Sequence, residues 1–399
     1  MNRDSPVSAS SLRRQIVIFH VQFALVVLGL LLGRTVRDAL YLSRAGVERL
    51  PLLYAAVGLI VAVAALAWGR LRRGRTTRAS AIQLHALFAL TFLGFAWVGP
   101  RIGNAAWAAL YLWVEILAAL SVGQFWNVVN ERFEPRTARM AYGRIAAGQA
   151  VGNIACGALS HVIAGRGATV MLIATAAVSG ASALIYLAVP KTQAARGATG
   201  RGQGRLLANQ RRLEAGRMRT YAFTLLGVVA VTYLVTSWVD FQFKVIARRS
   251  LDERGLTVFF GTFYAVVGVV AFIIQVVIFP RLSRWLGSFR ALSLMPGAFL
   301  ATGLMLPLAV ALTQAVSVAA KFAESALRYA VYDPLLQVFW LPLTPEGRIR
   351  FQSLASGVVK PLAIAAGGLL LWPLRPDAPD GVDVTSLGWL IAAGAATIL

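Results

Sequence analysis

The chain has 399 residues, of which 58% are hydrophobic and only 14% charged, more apolar surface than the core of a soluble domain can hide. Its 39 Lys and Arg against 16 Asp and Glu give a formal charge of +23, which in a soluble protein would point to nucleic acid. Here the placement of the cations accounts for most of it, so a soluble fold and a nucleic-acid partner are both excluded. Apolar runs long enough to cross the hydrocarbon core as a helix, about 20 residues at a rise of about 1.5 Å, recur down the chain. They lie at 16–33, 51–69, 82–99, 106–128, 143–164, 168–189, 221–243, 257–279, 291–311, 314–339, 351–373 and 384–399. The first follows Arg13 and Arg14, precedes Arg34 and Arg37, and lacks a small-residue cleavage site. It is therefore expected to be a retained signal-anchor helix. The single cysteine, Cys156, can form no intrachain disulfide.

With a cytoplasmic N-terminus, the segments between runs place 24 Lys and Arg inside and 11 outside. The expected topology is therefore N-in and C-in. Residues 191–219, rich in Gly, Ala, Gln and Arg, carry no apolar periodicity. They divide the chain into an N-terminal six-helix bundle (1–190), a basic cytoplasmic linker (191–219) and a C-terminal six-helix bundle (220–399). The halves align at a shift of about 210 residues: Tyr54 to Gly58 (YAAVG) meets Tyr264 to Gly268 (YAVVG), Pro135 meets Pro345, and Arg34 falls on Lys244. Glu115 falls within one residue of Glu324. Since both halves begin inside, the expected fold is all-α and integral to the membrane. About twelve transmembrane helices form two bundles in parallel pseudo-repeat, an arrangement that resembles major-facilitator transporters.

A charge at the bilayer centre costs about 2.5–3.5 kcal/mol on the mildest scale, so each one is a functional candidate. Lys321, Glu324, Arg328 and Tyr332 are spaced i, i+3, i+7, i+11 and form one stripe on the tenth run. Tyr233, Ser237, Asp240 and Lys244 do the same on the seventh, and Arg34, Arg37, Asp38 and Tyr41 at the end of the first. Counting along the runs puts Glu115, Glu324, Lys321, Arg328 and Lys360 deep and the other charges at the outer mouth. Each set has an excess of one positive charge, which suits an anionic solute. That all these charges pair with one another as structural ion pairs is the alternative. His20, His85 and His161 are expected to make packing hydrogen bonds. The small residues of Gly148 to Gly152, Gly157, Gly357, Gly367 and Gly368 are expected to allow close helix contact. Pro296 and Pro307 are expected to bend the ninth helix.

No phosphate-binding Gly-Lys loop, H-E-x-x-H or haem-attachment spacing occurs, so no metal or cofactor is expected and ATP hydrolysis cannot be the power source. No pairing of nucleophile and base points to an enzyme, and no catalytic residue is assigned.

The stretch from Arg34 through Arg37, Asp38 and Leu40, then Gly46, Glu48, Pro51 and Leu53, resembles the first-helix signature of the ATP/ADP antiporter (nucleotide transporter) family, R-x-x-K-D-x-L then G-x-E-x-I-P-F-L-K. Trp126 to Glu131 followed by Ala138, Arg139 and Tyr142, and Arg348 to Arg350 leading to Gly357 and Lys360, resemble two further parts of that family. The resemblance implies a major-facilitator-like exchanger of nucleotides in which Arg37 (where the family has Lys) and Lys360 meet phosphates and Asp38 and Glu115 help coupling. Tyr54 and Ala355 depart from the family pattern, and the loop after the second run is only a degenerate relative of the major-facilitator basic loop.

The expectation is a carrier for a small anionic, phosphorylated solute in a bacterial cytoplasmic (inner) membrane, with lipid as its other partner. Arg34, Arg37, Lys244, Lys321, Arg328 and Lys360 would bind the solute. Asp38, Glu115, Asp240 and Glu324 would act in coupling and gating. A proton-coupled symporter or exporter of another solute, and a non-transporting sensor or lipid-handling scaffold, are the other readings.

Overall fold

The computed structural model describes residues 9–133, 135–189, 208–308, 312–374 and 384–399, nearly all helical and without a strand. The helices are α1 (Ala9–Leu40), α2 (Leu50–Leu71), α3 (Thr77–Ile102), α4 (Asn104–Asn130), α5 (Pro135–Ala146), α6 (Gly148–Ala164), α7 (Ala168–Ala188) and α8 (Ala208–Ser250). They continue with α9 (Glu253–Ile273), α10 (Phe279–Leu292), α11 (Leu294–Leu308), α12 (Thr313–Leu327), α13 (Asp333–Phe339), α14 (Pro345–Leu354), α15 (Lys360–Leu371) and α16 (Val384–Ile398). Within the described residues all twelve apolar runs coincide with helix, the ninth being described only as far as Leu308. Among the described residues eight helices are long and apolar enough to cross a membrane, nine when the bent pair at 285–308 is taken as one span. The remaining runs are those that breaks or charges interrupt: α5 to α6 at Ala147, the charged α12 to α13, and the short α16. Most of the linker expected at 191–219 lies outside the described residues, and from Ala208 onward the chain is helical.

Helix boundaries carry the repeat further than single residues do. α4, Asn104–Asn130, recurs 209 residues later as Thr313–Phe339, and the ends of α1 at Leu40 and of α6 at Ala164 recur 210 residues later at Ser250 and Leu374. Large apolar side chains stand exposed along these helices, including Val63, Leu66, Leu90, Trp97, Phe289 and Leu308. That is the surface of a polytopic protein whose solvent is lipid.

Three π-helical turns precede prolines: Ile274–Ile278 before Pro280, Arg328–Tyr332 before Pro334, and Ala355–Val359 before Pro361. Proline lacks the N–H and its ring clashes with the carbonyl four residues back. The ladder widens instead, with the amides of Asp333 and Lys360 donating to the carbonyls of Arg328 and Ala355. Pro296 lies just beyond a 54° bend between α10 and α11.

By contacts the chain forms two units, 1–46 with 64–192 and 250–272, and 47–63 with 193–249 and 273–399. In the first, α1 packs on α4, α6 and α7. A Cβ at Gly148 or Gly152 would run into the backbone carbonyl of His20 or Ala24, and one at Gly261 or Gly268 into Ser160 or Asn153. Phe19, Phe23, Phe125, Trp126 and Phe133 form an aromatic cluster between α1 and the end of α4, each ring pair adding about 0.5–1.5 kcal/mol to its burial. In the second unit the start of α2 lies on α15, where Gly58 and Gly368 meet the carbonyls of Pro361 and Pro51. There too α11 and α16 cross at Gly303 and Gly388. These are close small-residue seams of the kind membrane helices use. Gly357 has open space instead. His20 makes the expected packing hydrogen bond, to the carbonyl of Arg144 at 2.7 Å, whereas His85 turns back on its own helix to the carbonyl of Ala81 at 2.9 Å.

Candidate functional site

The first apolar run stops at Gly33, yet the helix continues to Leu40 and through a π turn to Ala45. Arg34, Arg37 and Asp38, expected at the mouth, are therefore carried on the same continuous helix as the apolar run. Arg37 and Asp38 are buried. Arg37 Nε and Nη2 donate to Asp38 Oδ1 and Oδ2 at 2.9 and 3.2 Å, and its Nη1 donates to Glu115 Oε1. Arg34 Nη2 lies 3.7 Å from Glu115 Oε2. Glu115 is eleven residues into α4, about 16 Å along the axis. Below the Arg37 guanidinium lies the Tyr111 ring, its centroid 4.1 Å away. This cluster balances two cations with two carboxylates.

The second cluster belongs to the other unit. Asp240 on α8 is its hub: Oδ2 accepts from Lys244 Nζ at 2.8 Å and from the Tyr54 hydroxyl at 2.6 Å, and Oδ1 accepts from Lys321 Nζ at 2.8 Å. Lys321 also meets Glu324 Oε2 at 3.0 Å, and Glu324, fully buried, meets Arg328 Nη1 at 2.9 Å. The i, i+3, i+7 stripe is thus one continuous ion network. It also joins the two sets that position along the runs had separated: Asp240, expected at the mouth, is bonded directly to Lys321, expected deep, and to Lys244. Ion pairs that satisfy each other let the helix stay helical and buried where mean hydropathy alone would end the span.

Lys360, at the first position after the π turn of residues 355–359, donates to the Tyr233 hydroxyl at 2.8 Å and stands 3.9 Å from Asp333 Oδ1. Arg328 Nη2 donates to the Tyr329 hydroxyl at 2.9 Å. Counted together, Lys244, Lys321, Arg328 and Lys360 face Asp240, Glu324 and Asp333, an excess of one cation in this cluster.

Every charge singled out in the sequence is therefore engaged, and in this conformation the ion-pair alternative describes their contacts. Tyr54, Tyr111, Tyr329 and Asp333 were not singled out as site residues. Tyr54 is half of the repeated YA-V-G motif, and Asp333 is brought toward the Arg328 face only because the intervening turn is wider than an α-helical one. Among the described residues no group of three or more His, Cys, Asp or Glu is placed to hold a metal. At the far end of α1, Arg44 pairs with Glu253 at 2.8 Å and lies over the Trp107 ring.

No protein-family model matches the sequence, and no curated protein does. Solved structures do match. The nucleoside transporter NupG superposes with a TM-score of 0.65 at 13% identity, covering 97% of each chain. A D-xylose-proton symporter gives 0.64 at 12% identity over 96% of this chain and 97% of that one. The human organic anion transporter MFSD10 gives 0.63 at 15% identity over 97% of this chain and 99% of that one. At such identities the likeness speaks for fold alone, and it does so over almost the whole length: the chain has the major-facilitator fold.

Proposed function

We propose that the protein is a secondary transporter moving an anionic, phosphorylated solute by alternating access, with a nucleotide as the first candidate and exchange of one solute for another as the mode. The observation that carries the reading is the second-unit network, in which four cations face three carboxylates inside helices that are otherwise apolar. Such clusters are costly in lipid, and one whose charge is not balanced internally is suited to an anion. Phosphate oxygens can take the place of carboxylate oxygens on Lys244, Lys321, Arg328 and Lys360, and on Arg34 and Arg37 in the first cluster. Each cation then trades one charge-assisted partner for another rather than losing one. Asp38, Glu115, Asp240 and Glu324 hold the cations between transport events.

The resemblance of the segments around Arg37 and Lys360 to the ATP/ADP antiporter family favours nucleotide exchange. The fold also supports carriage of small solutes, since it serves a nucleoside transporter and an organic anion transporter. The cation distribution favours a cytoplasmic membrane with both termini inside.

The test is uptake of labelled ATP into proteoliposomes loaded with ADP, a sugar phosphate, a dicarboxylate or buffer. Uptake that requires internal nucleotide and is lost in Lys321→Ala supports the reading. Uptake of another anion alone removes the nucleotide. Uptake that ignores the internal solute but follows an imposed pH gradient replaces exchange by proton coupling. Silence across the panel, with the protein folded, removes transport of anions altogether.

A further inference from the structure

A crevice of about 380 Å³ opens at the N-terminal end of the first span, lined by Arg13, Ile16, Val17 and His20 of α1, Arg144 of α5, and Ala147 at the α5 to α6 break. The site lies in the first unit and shares no residue with the ion clusters. Arg13 precedes the apolar run that begins at Ile16, and His20 lies about 10 Å further along the axis, so by sequence the crevice runs from the headgroup side of that run into its first turns.

Its chemistry divides along that depth. Arg13 and Arg144 are exposed, and among the described residues neither guanidinium has an ion-pair or hydrogen-bond partner. Among the described residues no carboxylate lines the crevice. Ile16, Val17 and Ala147 supply an apolar wall, with Val17 54% exposed. The floor is closed. His20 Nδ1 donates to the Arg144 carbonyl at 2.7 Å, and Gly148 packs against the His20 carbonyl so closely that a Cβ would collide with it. A ligand can enter only from the side or the headgroup layer and cannot pass between α1 and α6.

We propose that this crevice seats an anionic phospholipid, its phosphodiester between the Arg13 and Arg144 guanidiniums and the start of one acyl chain against Ile16 and Val17. Two unpaired guanidiniums recognise phosphate by charge-assisted hydrogen bonds. Basic pockets between membrane helices on the cytoplasmic side are the known form of such recognition, and the expected topology puts this one in the cytoplasmic leaflet. A free phosphate would use the guanidiniums but leave the apolar wall bare.

The full chain, purified and delipidated in detergent, would be titrated with dioleoylphosphatidylglycerol, dioleoylphosphatidylcholine and inorganic phosphate, with bound lipid counted by native mass spectrometry. The expected result is one phosphatidylglycerol retained at least tenfold more tightly than phosphatidylcholine. That preference should be lost in the surface double variant Arg13→Gln/Arg144→Gln. Val17→Trp, which fills the crevice while leaving both guanidiniums, should abolish retention too. Equal retention by wild type and the double variant would overturn the proposal, as would no selectivity between the lipids. Binding of inorganic phosphate as tight as that of phosphatidylglycerol, unaffected by Val17→Trp, would make this a free-anion site and also overturn it.

Discussion

Asp240→Asn is the substitution that most directly tests whether the second-unit network is held together as described. Asp240 accepts from two ammonium groups, each at 2.8 Å, and from Tyr54 at 2.6 Å. At an effective dielectric of about 20, each ion pair is worth about 6 kcal/mol of gross Coulomb energy. Desolvation offsets most of that, and removing one partner of a buried pair typically costs about 3–5 kcal/mol because its mates are left uncompensated. Asparagine keeps the shape and one acceptor but leaves Glu324 as the one carboxylate that Lys321 meets, and four cations facing two carboxylates. With an unfolding entropy of about 2.1 cal/mol/K per residue, each kcal/mol moves the Tm of a chain this long by about 1 °C, so a fall of about 3–6 °C is expected. Differential scanning fluorimetry of the detergent-purified protein measures it. The same experiment with saturating ATP should recover more Tm in the variant than in the wild type, because the solute then supplies the missing negative charge. A Tm within about 1 °C of wild type, with equal ligand increments, would refute the reasoning.

Arg37→Lys keeps the charge but cannot fork between Asp38 and Glu115; uptake is expected to fall at least tenfold, and uptake at the wild-type rate would show the fork to be dispensable. Gly58→Leu would drive a side chain into the Pro361 carbonyl and is expected to cost more than about 3 kcal/mol by overpacking. Gly69→Leu, which meets nothing within 4 Å, should leave Tm unchanged; the pair is read by thermal unfolding. Pro361→Ala restores the missing amide and should convert the π turn of residues 355–359 to α-helix. Lys360 would then turn away from Tyr233 and uptake would weaken, with slower hydrogen exchange at 355–361 as the independent readout. Arg44→Glu should cost about 1 kcal/mol or less, and the exchange Arg44→Glu/Glu253→Arg should recover it in a double-mutant cycle of Tm values.

The apolar runs were legible because burial in lipid is a local, additive property of about 20 consecutive residues, and the repeat was legible because it preserves spacing. What escaped detection depended on partners. Mean hydropathy ends the first span at Gly33, since Arg34, Arg37 and Asp38 count as polar one by one. The helix continues because Arg37 is satisfied by Asp38 beside it and by Glu115, 78 residues away. Likewise the contact of Asp240 with Lys321, which joins helices 81 residues apart in sequence, could not be read from spacing along one helix. Asp333 was hidden for a different reason. Helical spacing sets it off the stripe, and only the π turn enforced by Pro334 brings it toward Arg328 and Lys360.

Adding Asp333 changes the charge balance itself. Sequence position alone gave one excess positive charge to each set, mouth and deep. With contacts known, Arg34 and Arg37 are balanced by Asp38 and Glu115, and the excess lies wholly in the second cluster, where four cations meet three carboxylates. The two clusters should therefore respond differently to loss of a cation. Lys360→Gln leaves its cluster balanced and should preserve Tm while abolishing the gain in Tm that ATP gives the wild type. Arg37→Gln leaves Asp38 and Glu115 with one cation between them, a buried negative excess that should cost about 3 kcal/mol or more of stability and lower Tm accordingly. Equal thermal effects in the two variants would mean that the cations serve the fold alone, and the assignment of the second cluster to an anion would fall with that result.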